Sequence, residues 1–202
     1  VGYSAEHRKK SASGGLGTWF LEKLLTENIV DCIACVSKRH DESKPYEYRL
    51  VSDIEELRNS SRSAYYPVEM SEILSQIKNS GKRCAVIGVP CFIRGIRKLQ
   101  NVDKSFAEAI VVTAGICCNS LPNKKIVEFM AGLAGEKRNV KEITFRYKDN
   151  NIMRNHCTVL KFEDKTIKSF SHQDSIFSFP YYQRLFAQKS CSCCDDVFAE
   201  CA

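Results

Sequence analysis

Two continuous apolar runs restrict what this chain can fold into. Cys84-Ala85-Val86-Ile87-Gly88-Val89 and the stretch Ala109 to Thr113 contain almost no polar residue. A strand that is apolar on every side must be covered on both faces, as parallel strands of an α/β sheet are. Pro90 breaks the first run, and a helical segment to about Gln100 separates it from the second. A turn-rich stretch from Gly115 to Asn123 follows, then a helix over Lys124 to Leu133. This strand–helix–strand–helix rhythm predicts α/β architecture: a mostly parallel or mixed sheet with flanking helices.

Upstream, Leu16, Trp19, Phe20, Leu21, Leu24 and Leu25 keep a helical period that ends near Asn28. Ile29 to Ser37 and Tyr46 to Ser52 read as strands. Val68 to Ser80 reads as a helix stopped by Gly81. After residue 138 the character changes. Lys141 to Tyr147, Cys157 to Phe162 and Thr166 to Phe170 read as strands of a smaller antiparallel section. Asp149-Asn150-Asn151 and Glu163-Asp164-Lys165 supply its turns. A helix over Tyr181 to Ala187 leads into a cysteine-rich C-terminal segment. The expected organisation is a single domain, α/β over 1–138 and antiparallel with a closing tail over 139–202. The beginning at Val1 and the end at Ala202 read as cuts, so a fragment of a longer chain is expected.

Composition narrows the function. Hydrophobic residues make up 44% and charged residues 27% of the 202, which excludes a disordered tail. The longest mainly apolar stretch, Ala109 to Cys118, is far short of the about 20 residues a membrane helix needs. No basic start followed by an apolar core is visible. The net charge of +6 suits an anionic small molecule. No basic stripe with interleaved aromatics calls for nucleic acid. The 11 cysteines are an odd number and fall short of the roughly 8–10% density of a disulfide scaffold. They are expected to be reduced thiols of a cytoplasmic protein.

Four places carry candidate chemistry. Ser11, Ser13, Gly14 and Gly15 stand immediately before a helix, where unpaired N–H groups and a partial positive charge suit a phosphate. Arg8 and Lys10 can add charge-assisted bonds. The plainer reading is a serine cap with a solvated basic lead-in, and the pattern is neither a Walker loop nor a Rossmann fingerprint. Gly88-Val89-Pro90-Cys91 ends a predicted parallel strand, where α/β folds bind ligands. Cys91 would open the next helix, a position that favours the thiolate. Gly115-Ile116-Cys117-Cys118-Asn119 occupies the same place after the next strand, so the two loops bring cysteines together. Cys191-x-x-Cys194 has the spacing of two ligands on one metal or cluster. Four thiolates suit zinc or an iron–sulfur cluster alike. Cys32 and Cys35 lie in a predicted strand, where i and i+3 face opposite ways, and read as core. Cys84 and Cys157 read as strand core, and His156 as surface or core. Trp19 and the aromatic run from Phe177 to Tyr182 read as packing. Ser63 and Tyr65 lie in a polar loop able to touch a ligand.

Taken together these segments resemble a known family. Arg8-x-x-Ser11-Ala12-Ser13-Gly14-Gly15-x-x-Thr18 resembles the R-x-x-S-S-S-G-G-x-x-T loop of the coenzyme F420 hydrogenase/dehydrogenase beta-subunit family. Ser63-Ala64-Tyr65 resembles its S-K-Y segment, and Gly88-Val89-Pro90-Cys91-Phe92-Ile93-Arg94-Gly95-Ile96 its G-T-P-C-Q-I-x-G-L. Gly115 to Pro122 resembles G-L-F-C-H-G-V-P, aligning Cys118 with the family cysteine. Phe145-Arg146-Tyr147-Lys148 resembles F-R-x-K, and Cys191-x-x-Cys194-x-Asp196 resembles C-x-x-C-x-D. Phe92 stands where the family has Gln, and Asn119-Ser120 where it has His-Gly. Cys117 and Cys193 are extra thiols.

The resemblance implies a flavin- and iron–sulfur-dependent oxidoreductase. Ser11, Ser13, Gly14, Gly15 and Thr18 would cradle FAD, with Ser63 and Tyr65 nearby. Cys91, Cys118, Cys191 and Cys194 would hold one 4Fe–4S cluster. Electrons would pass between a ferredoxin-like domain or subunit and a small-molecule acceptor, coenzyme F420 in methanogen members. The alternatives are a scaffold with a structural four-cysteine zinc site, and an electron-relay subunit without its own substrate.

Overall fold

The structure, a computed structural model, describes residues 4–39, 44–135, 140–148 and 156–200. In chain order it contains α1 (Ala5–Lys10), α2 (Leu16–Thr26), β1 (Cys32–Lys38), β2 (Tyr46–Val51), α3 (Ile54–Asn59), α4 (Ser71–Ser80), β3 (Cys84–Gly88) and α5 (Pro90–Val102). Then follow α6 (Lys104–Ala109), β4 (Ile110–Gly115), α7 (Lys125–Leu133), β5 (Val140–Lys148), β6 (His156–Phe162), β7 (Ile167–Ser171) and α8 (Ser175–Tyr182). A short 3-10 turn covers Lys189–Cys193.

The first sheet has the order β2-β1-β3-β4. β1, β3 and β4 run parallel, and β2 pairs antiparallel at the edge. Helices cover both faces of β1 and β3, which explains the first apolar run, whereas β4, at the sheet edge, leaves Val111 exposed and is not covered on both faces as its apolar run implied. Cys32, Ala34, Cys84 and Val86 pack against Ile73 and Ile77 of α4, Ile93 and Ile96 of α5, and Phe106 of α6. Ile33, Cys35 and Ala85 face the other way, onto Leu21 and Leu24 of α2 and Leu57 of α3. Cys32 and Cys35 are therefore core residues on opposite faces, and Cys84 is fully buried beside Cys32.

The second sheet is antiparallel, in the order β5-β6-β7. Ile143, Phe145, Leu160 and Phe162 form its buried face with Ile126, Met130 and Ala131 of α7. Tyr46 joins the two sheets. It belongs to this core, and its hydroxyl donates to the Ile143 carbonyl at 2.8 Å. Lys38 at the end of β1 reaches Glu142 and Thr144.

Helix ends follow local chemistry. Pro90 takes the first position of α5, where its missing N–H costs nothing. Gly81 ends α4 with φ +65. Several expectations need correction. The helix expected from Val68 starts at Ser71. The helix expected over Tyr181 to Ala187 lies earlier, as α8, because Asp174 caps it through the Ile176 N–H. The helices α1, α3 and α6 have six residues each and escape periodicity. Cys157 is only half-buried. The turn expected at Asp149-Asn150-Asn151 and the division expected at 138/139 lie outside the described residues. Among the described residues, no helix is long and apolar enough to cross a membrane.

Candidate functional site

The Ser/Gly loop lies between α1 and α2 and is held from three sides. Gly15 has φ +82, and a Cβ there would come within 2.7 Å of the His7 backbone. Only glycine lets the chain turn so close to α1. His7 is buried. Its Nε2 donates to Glu22 of α2 at 2.8 Å, and its Nδ1 lies 2.7 Å from Ser4 Oγ. Arg58 of α3 completes the knot with two bonds to Glu22, at 2.8 and 2.7 Å. Arg58, and then His7 against the cost of burial, hold the Glu22 carboxyl down from 4.5 to about 2. Within the loop, Ser11 Oγ donates to the carbonyls of Arg8 and Ser13. Lys148, at the end of β5, donates to the same two carbonyls at 3.2 and 2.6 Å. Ser11 and Lys148 thus shape the loop from within.

The loop walls a cleft of about 240 Å³. Ser11, Ser13, Gly15 and Thr18 line it, as do Ser63 and Tyr66 from the polar loop and Tyr48, Gly88 and Phe92 from the sheet side. Gly14 is not in the wall. Tyr65 is not there either. It lies in the antiparallel core, edge-on to Phe145 and Tyr181, and lines a different cavity. In an extended segment neighbours point oppositely, so Tyr66 takes the place expected for Tyr65. Lys10 is turned away, 3.8 Å from Glu6.

Arg62 is a wall residue that no motif singles out. It sits 5.0 Å from the Tyr147 ring centroid, and its Nη1 is buried with no hydrogen-bond partner among the described residues. Burial pulls its pKa down. Positive charge accumulates here. The Lys148 pKa is lowered by burial and by the charges of Arg146, Arg62 and Arg8. A half-buried guanidinium with one buried, idle N–H among other cations is a costly arrangement unless an anion completes it.

The cysteines gather at the sheet edge beside this cleft. Cys91 is the second residue of α5, and Cys118 follows β4. The C-terminal tail lies across the loop after β4. Cys118 N–H donates to Val197 O at 3.0 Å, Leu121 N–H to Cys191 Sγ at 3.4 Å, and Gln188 N–H to Leu121 O at 3.1 Å. Pro122 and Ala187 form a bridge. Gly115 permits the approach, since a Cβ on it would meet Ala199 Cβ at 2.5 Å. Burial, then the charges of Cys191, Cys91 and Cys194, push the Cys118 thiol up to about 11. Cys91 is exposed as a residue, yet partial desolvation of its sulfur raises its pKa, with Cys194 and Cys191 adding to it. Without a bound cation, these effects oppose the thiolate preference that a helix start gives Cys91. Cys117 and Cys193 are exposed, and neither is among the leading charges on Cys91 or Cys118. Among the described residues, no three His, Cys, Asp or Glu side chains converge as ligands of a single ion. No disulfide joins the described cysteines.

Cleft and thiols share their scaffold. Gly88, Val89 and Phe92 line the cleft around Cys91, and Ile116 and Leu121 line it around Cys118.

Comparison with known proteins adds the following. Residues 1–75 match the family model described as coenzyme F420 hydrogenase/dehydrogenase, beta subunit N-term. Residues 81–202 match the companion model, described as the C terminus of the same coenzyme F420 hydrogenase/dehydrogenase beta subunit. No curated protein matches. Among solved structures, a chain from a xenon-derivatised F420-reducing NiFe hydrogenase complex of Methanosarcina barkeri aligns with a TM-score of 0.69 at 16% identity. The alignment covers 99% of the present chain and 65% of the hydrogenase chain. At that identity the likeness is one of fold.

Proposed function

The chain belongs to the coenzyme F420 hydrogenase/dehydrogenase beta-subunit family, and on that premise we propose that it is a flavin- and iron–sulfur-dependent electron-transfer oxidoreductase. One observation carries this reading. The loops 88–92 and 116–121 wall the cleft and also carry Cys91 and Cys118, so a cofactor in the cleft would lie next to whatever the thiols bind.

The residues present fit both groups. The cleft offers the first turn of α2, the hydroxyls of Ser13, Thr18 and Ser63, and the buried, idle Nη1 of Arg62. These are donors and positive charge for the pyrophosphate of FAD. Lys148 and Ser11 keep the loop in its binding shape, and Tyr48, Gly88 and Phe92 offer an apolar flank for a flat ring. Cys191 and Cys194 act electrostatically on both Cys91 and Cys118, and a cationic core would offset the burial and repulsion that raise those two thiols. Ligands of a cluster bind different irons and stand wider apart than ligands of one zinc ion. The four thiols suit zinc and iron–sulfur alike, and family membership favours a 4Fe–4S cluster. Bound flavin would supply hydride exchange with an organic acceptor and single-electron exchange with the cluster.

In this reading the chain works in the cytoplasm, with reduced thiols. A ferredoxin-like domain or subunit delivers or collects electrons, and a small organic molecule, coenzyme F420 among the candidates, is the acceptor. The test is anaerobic. The full chain is reconstituted with FAD, iron and sulfide, reduced with dithionite and mixed with coenzyme F420. Reoxidation of the flavin together with loss of the F420 absorption supports the reading. Flavin binding without reaction moves the search to other acceptors. A protein that stays colourless after reconstitution overturns it.

A further inference from the structure

A second cavity, of about 320 Å³, opens on the antiparallel sheet, lined by Tyr65 where its neighbour Tyr66 lines the first. Arg146 of β5, His156 and Thr158 of β6 and His172 beyond β7 supply polar groups, and Tyr65 and Tyr181 supply aromatic walls. Its described wall contains no aspartate or glutamate.

Three features single out Arg146. It has φ +51, in the left-handed region, where the pairing of β5 with β6 shifts register between Thr144 and Tyr147. A bulge of this kind re-aims a side chain, and a non-glycine residue held in that conformation stores strain that the surroundings must offset. Its Nη1 donates to Tyr65 Oη at 3.4 Å, but its Nε is buried without a hydrogen-bond partner among the described residues. Nearby, His172 Nδ1 is buried and likewise unpartnered among the described residues. The His156 and His172 rings stack at 4.2 Å and 17°. Burial, followed by the charges of Arg146, His172 and Lys148, lowers His156 to about 4. The cavity thus sets the Arg146 guanidinium, with its idle N–H, and the unpartnered His172 ring nitrogen against flat aromatic walls, with no carboxylate in its described wall to balance the charge.

We propose that this cavity binds the carboxylate of a planar organic anion, held by Arg146 and by the His172 ring, with the anion's flat body against Tyr65 and Tyr181. A guanidinium matches a carboxylate in shape and charge, and the aromatic walls suit a conjugated body. The inference needs neither flavin nor cluster at the first site.

The test uses benzoate as probe on the full chain with isotope-labelled histidine, followed by nuclear magnetic resonance. Benzoate should shift the His156 and His172 ring signals saturably, and benzamide, the same shape without charge, should bind at least about tenfold more weakly. Arg146→Gln should reduce benzoate affinity by at least about tenfold. The benzoate-to-benzamide comparison on the unmodified protein decides the matter even if the variant fails to fold. Absence of a saturable shift, equal affinity for the two probes, or a folded Arg146→Gln variant that binds benzoate normally would each overturn the proposal.

Discussion

Lys148 Nζ donates to the Ser13 carbonyl at 2.6 Å, tying the end of β5 to a loop 135 residues earlier in the chain. The antiparallel section thereby shapes the proposed phosphate cradle of the α/β section. Lys148→Met should leave the fold intact and weaken FAD binding by about tenfold, since each charge-assisted bond to the loop contributes about 1.5–3 kcal/mol of order. Quenching of flavin fluorescence on titration measures it, and an unchanged affinity would show that the tie is irrelevant to the cradle.

Arg62 should show the opposite sign for stability and for binding. Its Nη1 is buried without a partner among the described residues. Arg62→Met removes that cost, so the flavin-free protein should gain about 1 kcal/mol. FAD affinity should fall at the same time. A variant that loses stability without losing flavin would mark Arg62 as a packing residue.

Two glycines separate turn from helix. Gly15→Ala forces a Cβ against the His7 carbonyl at φ +82 and should cost about 1–3 kcal/mol. Gly95 lies inside α5 with nothing within 4 Å of a Cβ, and Gly95→Ala should add about 0.5–1 kcal/mol. Melting temperatures of the two variants should therefore move in opposite directions.

The His7–Glu22–Arg58 knot predicts a pH dependence. The Glu22 pKa is depressed in the folded protein from 4.5 to about 2, chiefly by its bonds with Arg58. Its stabilisation is therefore complete above 4.5 and is lost as pH falls towards 2. Glu22→Gln should cost about 2 kcal/mol at neutral pH. The gap between the two proteins in urea unfolding should stay constant above pH 4.5 and close below it. A gap that persists down to pH 2 would assign the effect to packing.

Much of this was legible in the residues, and the gaps have physical reasons. β1 and β3 are apolar because helices cover both their faces, so their runs announce them, while the run of β4 sits at the sheet edge with Val111 exposed. The CxxC within β1 is legible as core because its strand sends Cys32 and Cys35 to opposite faces. The helices α1, α3 and α6 depend on side-chain caps from Ser4, Asp53 and Asp103 and on tertiary contacts, which leave no period to read. Arg62 carries no local signal, because its ring contact is with Tyr147 on a strand distant in sequence. Tyr65 and Tyr66 could not be phased from a loop without regular structure. Arg146 is aimed by a bulge that the motif does not reveal.

The central claim is that Cys91, Cys118, Cys191 and Cys194 hold one cluster beside the flavin cleft. Iron and acid-labile sulfide, determined after anaerobic reconstitution, test it most directly. The account predicts about four of each per chain for the unmodified protein and for Cys35→Ala, and little of either for Cys118→Ala or Cys194→Ala. Zinc in place of iron, or equal cluster content in all three variants, would contradict it.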